Sequence, residues 1–215
     1  MDTVFLAIDI ETCGIDKSIF SVACVLFKII DKQMVVIDEK QFSFSPILPT
    51  TQIIDGDDGE EERIKYNDFT IDSWDNVWSK NIEIFEYIST NSTYKNEKEL
   101  IDGFYLWWIQ TTKKYHQLRI ISDNIAMDIG YIDSRILKYR AEGSTKKPLN
   151  YQWRGKNWFY VLPIDTFSME HIILNGSNGK QCLETIYQNC PIVENNLIEN
   201  AKKIGWQYTQ LMTYF

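Results

Sequence analysis

A chain of 215 residues, 44% hydrophobic and 24% charged, has the composition of one ordinary globular domain with a core of its own. Its 22 basic and 30 acidic residues leave a net charge of -8, which excludes a protein that coats nucleic acid non-specifically. No apolar run approaches the ~18 residues of a membrane span. The opening Met1-Asp2-Thr3 is acidic where a secretory signal would be basic, so a cytoplasmic protein without a membrane partner is expected.

The elements read in chain order as follows. Residues 4–10 are a nearly continuous apolar run ending in an acid, the pattern of a central strand covered on both faces. Residues 18–30 and 34–44 make two more strands around the turn Asp31-Lys32, which together predict an antiparallel meander. Pro46 and Pro49 stop it, and 45–70 reads as a solvated loop with an acidic tip. Apolar residues at three- and four-residue steps predict helices over 72–88 and 97–115. A short buried strand follows at 118–122, then a helix at 126–141, a strand at 159–164 and helices to 174, at 180–188 and at 194–212. No linker or repeat divides the chain, so residues 1–215 are expected to form a single α/β domain. Its sheet should be five-stranded and mixed, with helices on both faces.

Charge is unevenly spread. Asp55, Asp57, Asp58, Glu60, Glu61 and Glu62 crowd one stretch, and Arg135, Lys138, Arg140, Lys146, Lys147, Arg154 and Lys156 another. An acidic chain with one basic quarter suits a localised anionic ligand. Cys13, Cys24, Cys182 and Cys190 contain no C-x-x-C pair, and with 2 histidines a Cys/His zinc site is disfavoured. A metal here would be held by carboxylates, which means a hard ion such as Mg²⁺ or Mn²⁺.

Asp9 and Glu11 are the strongest local signal. Side chains two apart on a strand share a face, so two carboxylates meet at the end of an apolar central strand. Like charges so placed repel and are costly to desolvate unless a cation lies between them. The bland alternative for any Asp-x-Glu is a pair of solvated acids at a strand end.

Ala7-Ile8-Asp9-Ile10-Glu11-Thr12-Cys13-Gly14 resembles the first motif of the DEDD superfamily of 3′–5′ exonucleases, which have the ribonuclease-H-like fold. The segment 122–132, with Asn124 and Asp128 at a helix start, resembles the second. Trp78-Ser79-Lys80-Asn81 and Asp165-Thr166 add a likeness to phage- and large-virus-type exoribonucleases, and with it the cytoplasm of an infected host cell. The resemblance implies a two-metal site for Mg²⁺ or Mn²⁺ on Asp9, Glu11 and Asp128, with Thr12, Gly14 and Asn124 at the substrate. It implies release of nucleotides from a single-stranded 3′ end, RNA slightly preferred over DNA.

The third motif departs from that pattern. Pro191 stands where a general-base His is expected, and Asn196 where the fourth carboxylate is expected. Three accounts remain open: an inactive module that binds nucleic acid or protein, an enzyme with a substitute base (His171, Glu194 or Glu199), or a deliberate Asp→Asn replacement at 196. The basic, aromatic stretch with Lys146, Lys147, Trp153, Arg154 and Lys156 is the candidate strand-binding segment, since Lys and Arg meet phosphates and Trp stacks on bases. The competing reading is a solvated loop with its Trp residues in the core. Oligomeric state is left open.

Overall fold

The computed structural model describes residues 3–56, 59–142, 144–149, 151–154, 157–160, 163–174, 179–192 and 196–213. Side chains at 55–56, 59–60, 151–154, 157–160, 172, 179 and 182 fall outside that description. Five strands come first: β1 (Val4–Thr12), β2 (Ile19–Ile30), β3 (Gln33–Ser43), β4 (Thr50–Gly56) and β5 (Gly59–Lys65). Helices α1 (Ile71–Asn76), α2 (Ile82–Thr90) and α3 (Glu97–Lys114) lead to β6 (Leu118–Ser122) and α4 (Ile125–Lys138). The chain continues through β7 (Tyr151–Arg154), β8 (Asn157–Tyr160), β9 (Ile164–Asp165), α5 (Thr166–Leu174), α6 (Gly179–Gln188) and α7 (Leu197–Leu211).

β1, β2 and β3 form the antiparallel meander that the sequence predicts, turned at Asp31 and Lys32 with φ of 51° and 63°. That mirror-image turn matches the twist of the strands it joins. β6 pairs parallel with β1, and β9 parallel with β6, giving a five-stranded mixed sheet in the order β3-β2-β1-β6-β9. β1 is its central strand.

Alternation along β1 assigns the two layers. Val4, Leu6, Ile8 and Ile10 point into a core shared with Phe85, Leu100, Phe104, Trp108 and Ile132 of α2, α3 and α4. Ala7 belongs to the opposite core, with Ala23, Val25, Phe27 and Ile121, under Leu197, Ala201, Ile204 and Tyr208 of α7. The small Ala7 and Ala23 let α7 come close, and at Gly205 a Cβ would stand 2.9 Å from the Phe27 ring. By the same alternation Asp9 and Glu11 face α7. Burial of both sheet faces explains why β1 and β2 read as unbroken apolar runs.

One buried charge fastens the α3–α4 layer to the strand ends. Glu97 accepts from the Ile19 N–H at 2.7 Å and from Arg135 Nε at 2.8 Å, and takes the Tyr139 hydroxyl as well. Arg135 in turn donates to the Lys17 carbonyl. Cys13 and Cys24 are buried free thiols, and burial pushes both above the usual thiol range. Among the described residues no helix is long and apolar enough to cross a membrane.

Three sequence expectations need correction. The stretch 45–70 is not a loop: β4 and β5 pair as a ribbon, Thr51 opposite Ile64 and Gln52 opposite Arg63. Ile53 and Ile64 stay exposed, so the ribbon carries no burial pattern that a sequence reading would register. The helix over 72–88 is two helices broken by a 3-10 turn at Trp78–Lys80. Trp78 leaves helical register to sink beside Phe20 and Phe85, its indole N–H donating to the Thr12 carbonyl at 3.1 Å. Finally, 159–164 is not one strand: Asn157–Tyr160 pairs with Tyr151–Arg154 as a separate hairpin. The sheet strand begins only at Ile164, after Pro163, which has no N–H to give a ladder.

Candidate metal and nucleic-acid site

The carboxylates meet at the C-terminal end of β1, where the sheet's apolar stripe runs out. Asp9 sits opposite Ala23, and the ladder to β2 shifts register between Glu11 and Thr12. Such a bulge re-aims the side chains beside it. Gly14 follows with φ of 125°, turning the chain back toward β2, and a Cβ there would lie 2.3 Å from Thr70 Oγ1.

Asp128 arrives from the other layer. Asn124 caps α4, its Oδ1 accepting the Met127 N–H at 3.2 Å, which places Asp128 in the first turn. Ser122 Oγ donates to Asp128 Oδ2 at 2.5 Å and itself accepts the Asn124 N–H at 2.9 Å. The Asp128 N–H donates to the Asn124 carbonyl at 2.8 Å, and the backbone polar groups of Ile10 and Asn124 favour its carboxylate.

These acids are electrostatically frustrated. Burial, then the charge of Asp128, pushes Glu11 up to about 8. Burial also lifts Asp128 to about 7, against the opposing hydrogen bond from Ser122. Asp9 is held well above the usual carboxylate range by burial and by Glu11, Asp128 and Asp123, while the neighbouring Asn200 amide opposes the shift. Asp123 is raised by burial too, with Asp165 adding to the effect and Lys203 reducing it.

Two cavities flank the carboxylates. One, of 270 Å³, is walled by Asp9, Glu11 and Asp123 on the sheet side and by Asn200, Lys203 and Gln207 of α7. The other, of 420 Å³, is bordered by Glu11, Asp128, Thr12, Gly14, Trp78 and Met127. Glu11 stands between them. Among the described residues no three His, Cys, Asp or Glu side chains already enclose a point as a metal cage. The donor chemistry nevertheless fits a hard dication: the oxygens are carboxylates, they are partly desolvated, and they repel one another. Asp9, Glu11 and Asp128 are the residues able to hold one.

The structure thus brings together Asp9, Glu11, Asp128, Thr12 and Gly14 of the sequence candidates, with Asn124 at the helix start. It does not bring Asn196, whose Oδ1 caps α7 by accepting the Glu199 N–H at 3.0 Å. The α7 side chains that line the cavity with Asp9 are Asn200, one turn later, and then Lys203, Ile204 and Gln207. Pro191 is exposed. Lys146 pairs with Asp102 and lies 5.3 Å over the Tyr105 ring, and the Lys147 N–H donates to the Tyr105 hydroxyl. Both therefore pack on the α3–α4 layer, across the sheet from the α7 face. Of Trp153 and Arg154 only the backbone of β7 is described, and Lys156 and Glu194 lie outside the described residues. Glu199 is bound to Lys202, which also reaches Glu39 on β3. His171 is exposed, and neither it nor His116 lines either cavity.

Asp123, Asn200, Lys203 and Gln207 were missed in the sequence. The signal was there for the α7 set: positions 200, 203 and 207 recur at helical spacing beside the apolar stripe of 197, 201, 204 and 208.

Comparison with known proteins bears on the fold. No protein-family model matches the chain, and no curated protein matches it in sequence. The crystal structure of cell-death related nuclease 4 (CRN-4) superposes with a TM-score of 0.56 at 10% identity, over 99% of this chain and 64% of that one. The zinc-bound E. coli ExoI–ssDNA complex does so with a TM-score of 0.54 at 11% identity, over 100% of this chain and 40% of that one. This is the ribonuclease-H-like fold. The chain spans less than two thirds of either neighbour's length. Within the ribonuclease-H-like frame, Asp9 and Glu11 occupy the end of the central strand and Asp128 the helix start that follows β6.

Proposed function

We propose that this domain is a metal-dependent 3′–5′ exonuclease that takes the free 3′ end of a single-stranded nucleic acid, RNA ahead of DNA. The observation that carries the reading is the set of three recessed carboxylates, Asp9, Glu11 and Asp128, gathered at the end of the central strand and each pushed above the usual carboxylate range. It is supported by the ribonuclease-H-like fold shared with a structure solved as a zinc-bound ssDNA complex. Mg²⁺ or Mn²⁺ held there would make a nucleophile of water and offset charge on the departing 3′-oxygen. The 420 Å³ groove beside Glu11 and Asp128, floored by the buried Trp78 and edged by the half-exposed Met127, receives the terminal nucleotide.

One observation favours a weaker activity. Asn200 rather than an acid faces Asp9, and no histidine lines the site. A positioned general base typically adds ~10²–10⁴-fold, so cleavage without one is slow. The test is degradation of 5′-labelled RNA and DNA single strands in Mn²⁺. The expected result is a slow ladder shortening from the 3′ end, lost in Asp9→Ala. No cleavage, with strand binding intact, makes the domain a nucleic-acid-binding module instead. Equal cleavage by Asp9→Ala refutes the site.

A further inference from the structure

The α7 wall of the 270 Å³ cavity has a chemistry unlike the sheet wall. Asn200, Lys203, Ile204 and Gln207 line it at steps of three and four, one helical face, and none is acidic. Asn200 shares the cavity with Asp9, so an amide rather than a carboxylate stands on the helix side of it. The charge of Lys203 acts on Asp123 and also on Glu170 of α5, which stands near Asp123 and Asp165. An ammonium is thereby held among carboxylates, on the wall that a second dication would need as a source of anionic oxygen.

We propose that the site takes one divalent ion, on the Glu11–Asp128 side, and that Lys203 is the built-in cation of the Asp9–Asp123 side, contacting the phosphate of the bound strand. The inference rests on the exonuclease reading above and assigns the division of charge within that site. An ammonium offers three donors from a compact charge, which suits a phosphate oxygen. The same charge disfavours a second dication nearby, because repulsion in a partly desolvated cavity is poorly screened.

Two measurements on the full chain test it. Calorimetric titration with Mn²⁺ should count one ion per chain, and Lys203→Glu should admit a second, while Asn196→Asp should leave the count unchanged. In chelator, Lys203→Gln should weaken binding of a fluorescein-labelled oligothymidylate by roughly 3–10-fold. It should also reduce the slope of log K against log salt by ~0.7, the loss of one phosphate contact on a single strand. Lys203→Arg should restore both. Melting temperatures confirm that each variant is folded, and if Lys203→Glu is not, the strand measurement decides alone. Two ions in the unaltered protein, or an unchanged salt slope in Lys203→Gln, overturns the inference and leaves the exonuclease reading standing. No ion at all overturns both.

Discussion

Replacing Glu11 by Gln should make the metal-free protein more stable. Glu11 is raised from 4.5 to about 8, first by burial and then by Asp128. A carboxyl whose pKa is higher in the folded state keeps its proton longer there than in the unfolded chain. Stability is therefore greatest below about pH 4.5, declines as pH rises, and levels off above about 8. At ~1.4 kcal/mol per pH unit the full shift corresponds to about 5 kcal/mol. Burial is the larger part of that cost and the coupled carboxylates share it, which leaves about 3 kcal/mol for Glu11 itself. For a chain of this size that is a rise of roughly 6–12 °C in melting temperature at pH 8.5 in chelator, shrinking to nothing near pH 4. Thermal unfolding followed by circular dichroism reads it directly. Mn²⁺ should then raise the melting temperature of the unaltered protein more than that of Glu11→Gln. A lower melting temperature for Glu11→Gln at pH 8.5 would mean that the Glu11 charge is already compensated, and the frustration described above would be wrong.

Two further substitutions probe the frame around the site. Gly14→Ala places a Cβ 2.3 Å from Thr70 Oγ1 at a φ of 125°, and should cost about 2 kcal/mol, read as a melting temperature lower by roughly 4–8 °C; no change would mean that Thr70 moves aside freely. Glu97→Ala strips Arg135 and the Ile19 N–H of their buried partner and should cost about 3–5 kcal/mol in urea unfolding, whereas a loss below ~1 kcal/mol would show the network to be dispensable.

What the sequence disclosed was whatever a single element determines by itself. The unbroken apolar runs of β1 and β2 fixed a sheet covered on both faces, and period-two alternation placed Asp9 and Glu11 on one side of it. Asn124 and Asp128 were legible through their likeness to a known motif, and their places at the cap and first turn of α4 agree with it. What it hid depends on two elements meeting. The break at Trp78 follows from an indole N–H that finds a carbonyl on β1, 66 residues away in sequence. Lys146 reads as a surface cation until Asp102, 44 residues earlier, is placed beside it. The apolar stripe of α7 was visible, but its rotational phase against Asp9 was not. Asn196 and Asn200 stand one turn apart on that helix, and only packing decides which of the two faces Asp9.

The balance of charge at the end of β1 is therefore set from two sides, and the sides have different consequences. The sheet side concentrates carboxylates whose repulsion works against folding when no cation is present. The α7 side answers with the Asn200 amide beside Asp9 and an ammonium acting on Asp123, and both lower the cost of gathering those carboxylates. What steadies the carboxylates also withholds anionic oxygen and adds positive charge, and both count against a second ion. Ion number and metal-free stability are thus expected to move in opposite directions along one helix face. Lys203→Glu should admit a further Mn²⁺ and at the same time lower the melting temperature in chelator, most strongly above pH 8, where the sheet-side acids are charged. A variant that gained the ion without that loss would separate the two effects, and Lys203 would then be acting on the ion alone.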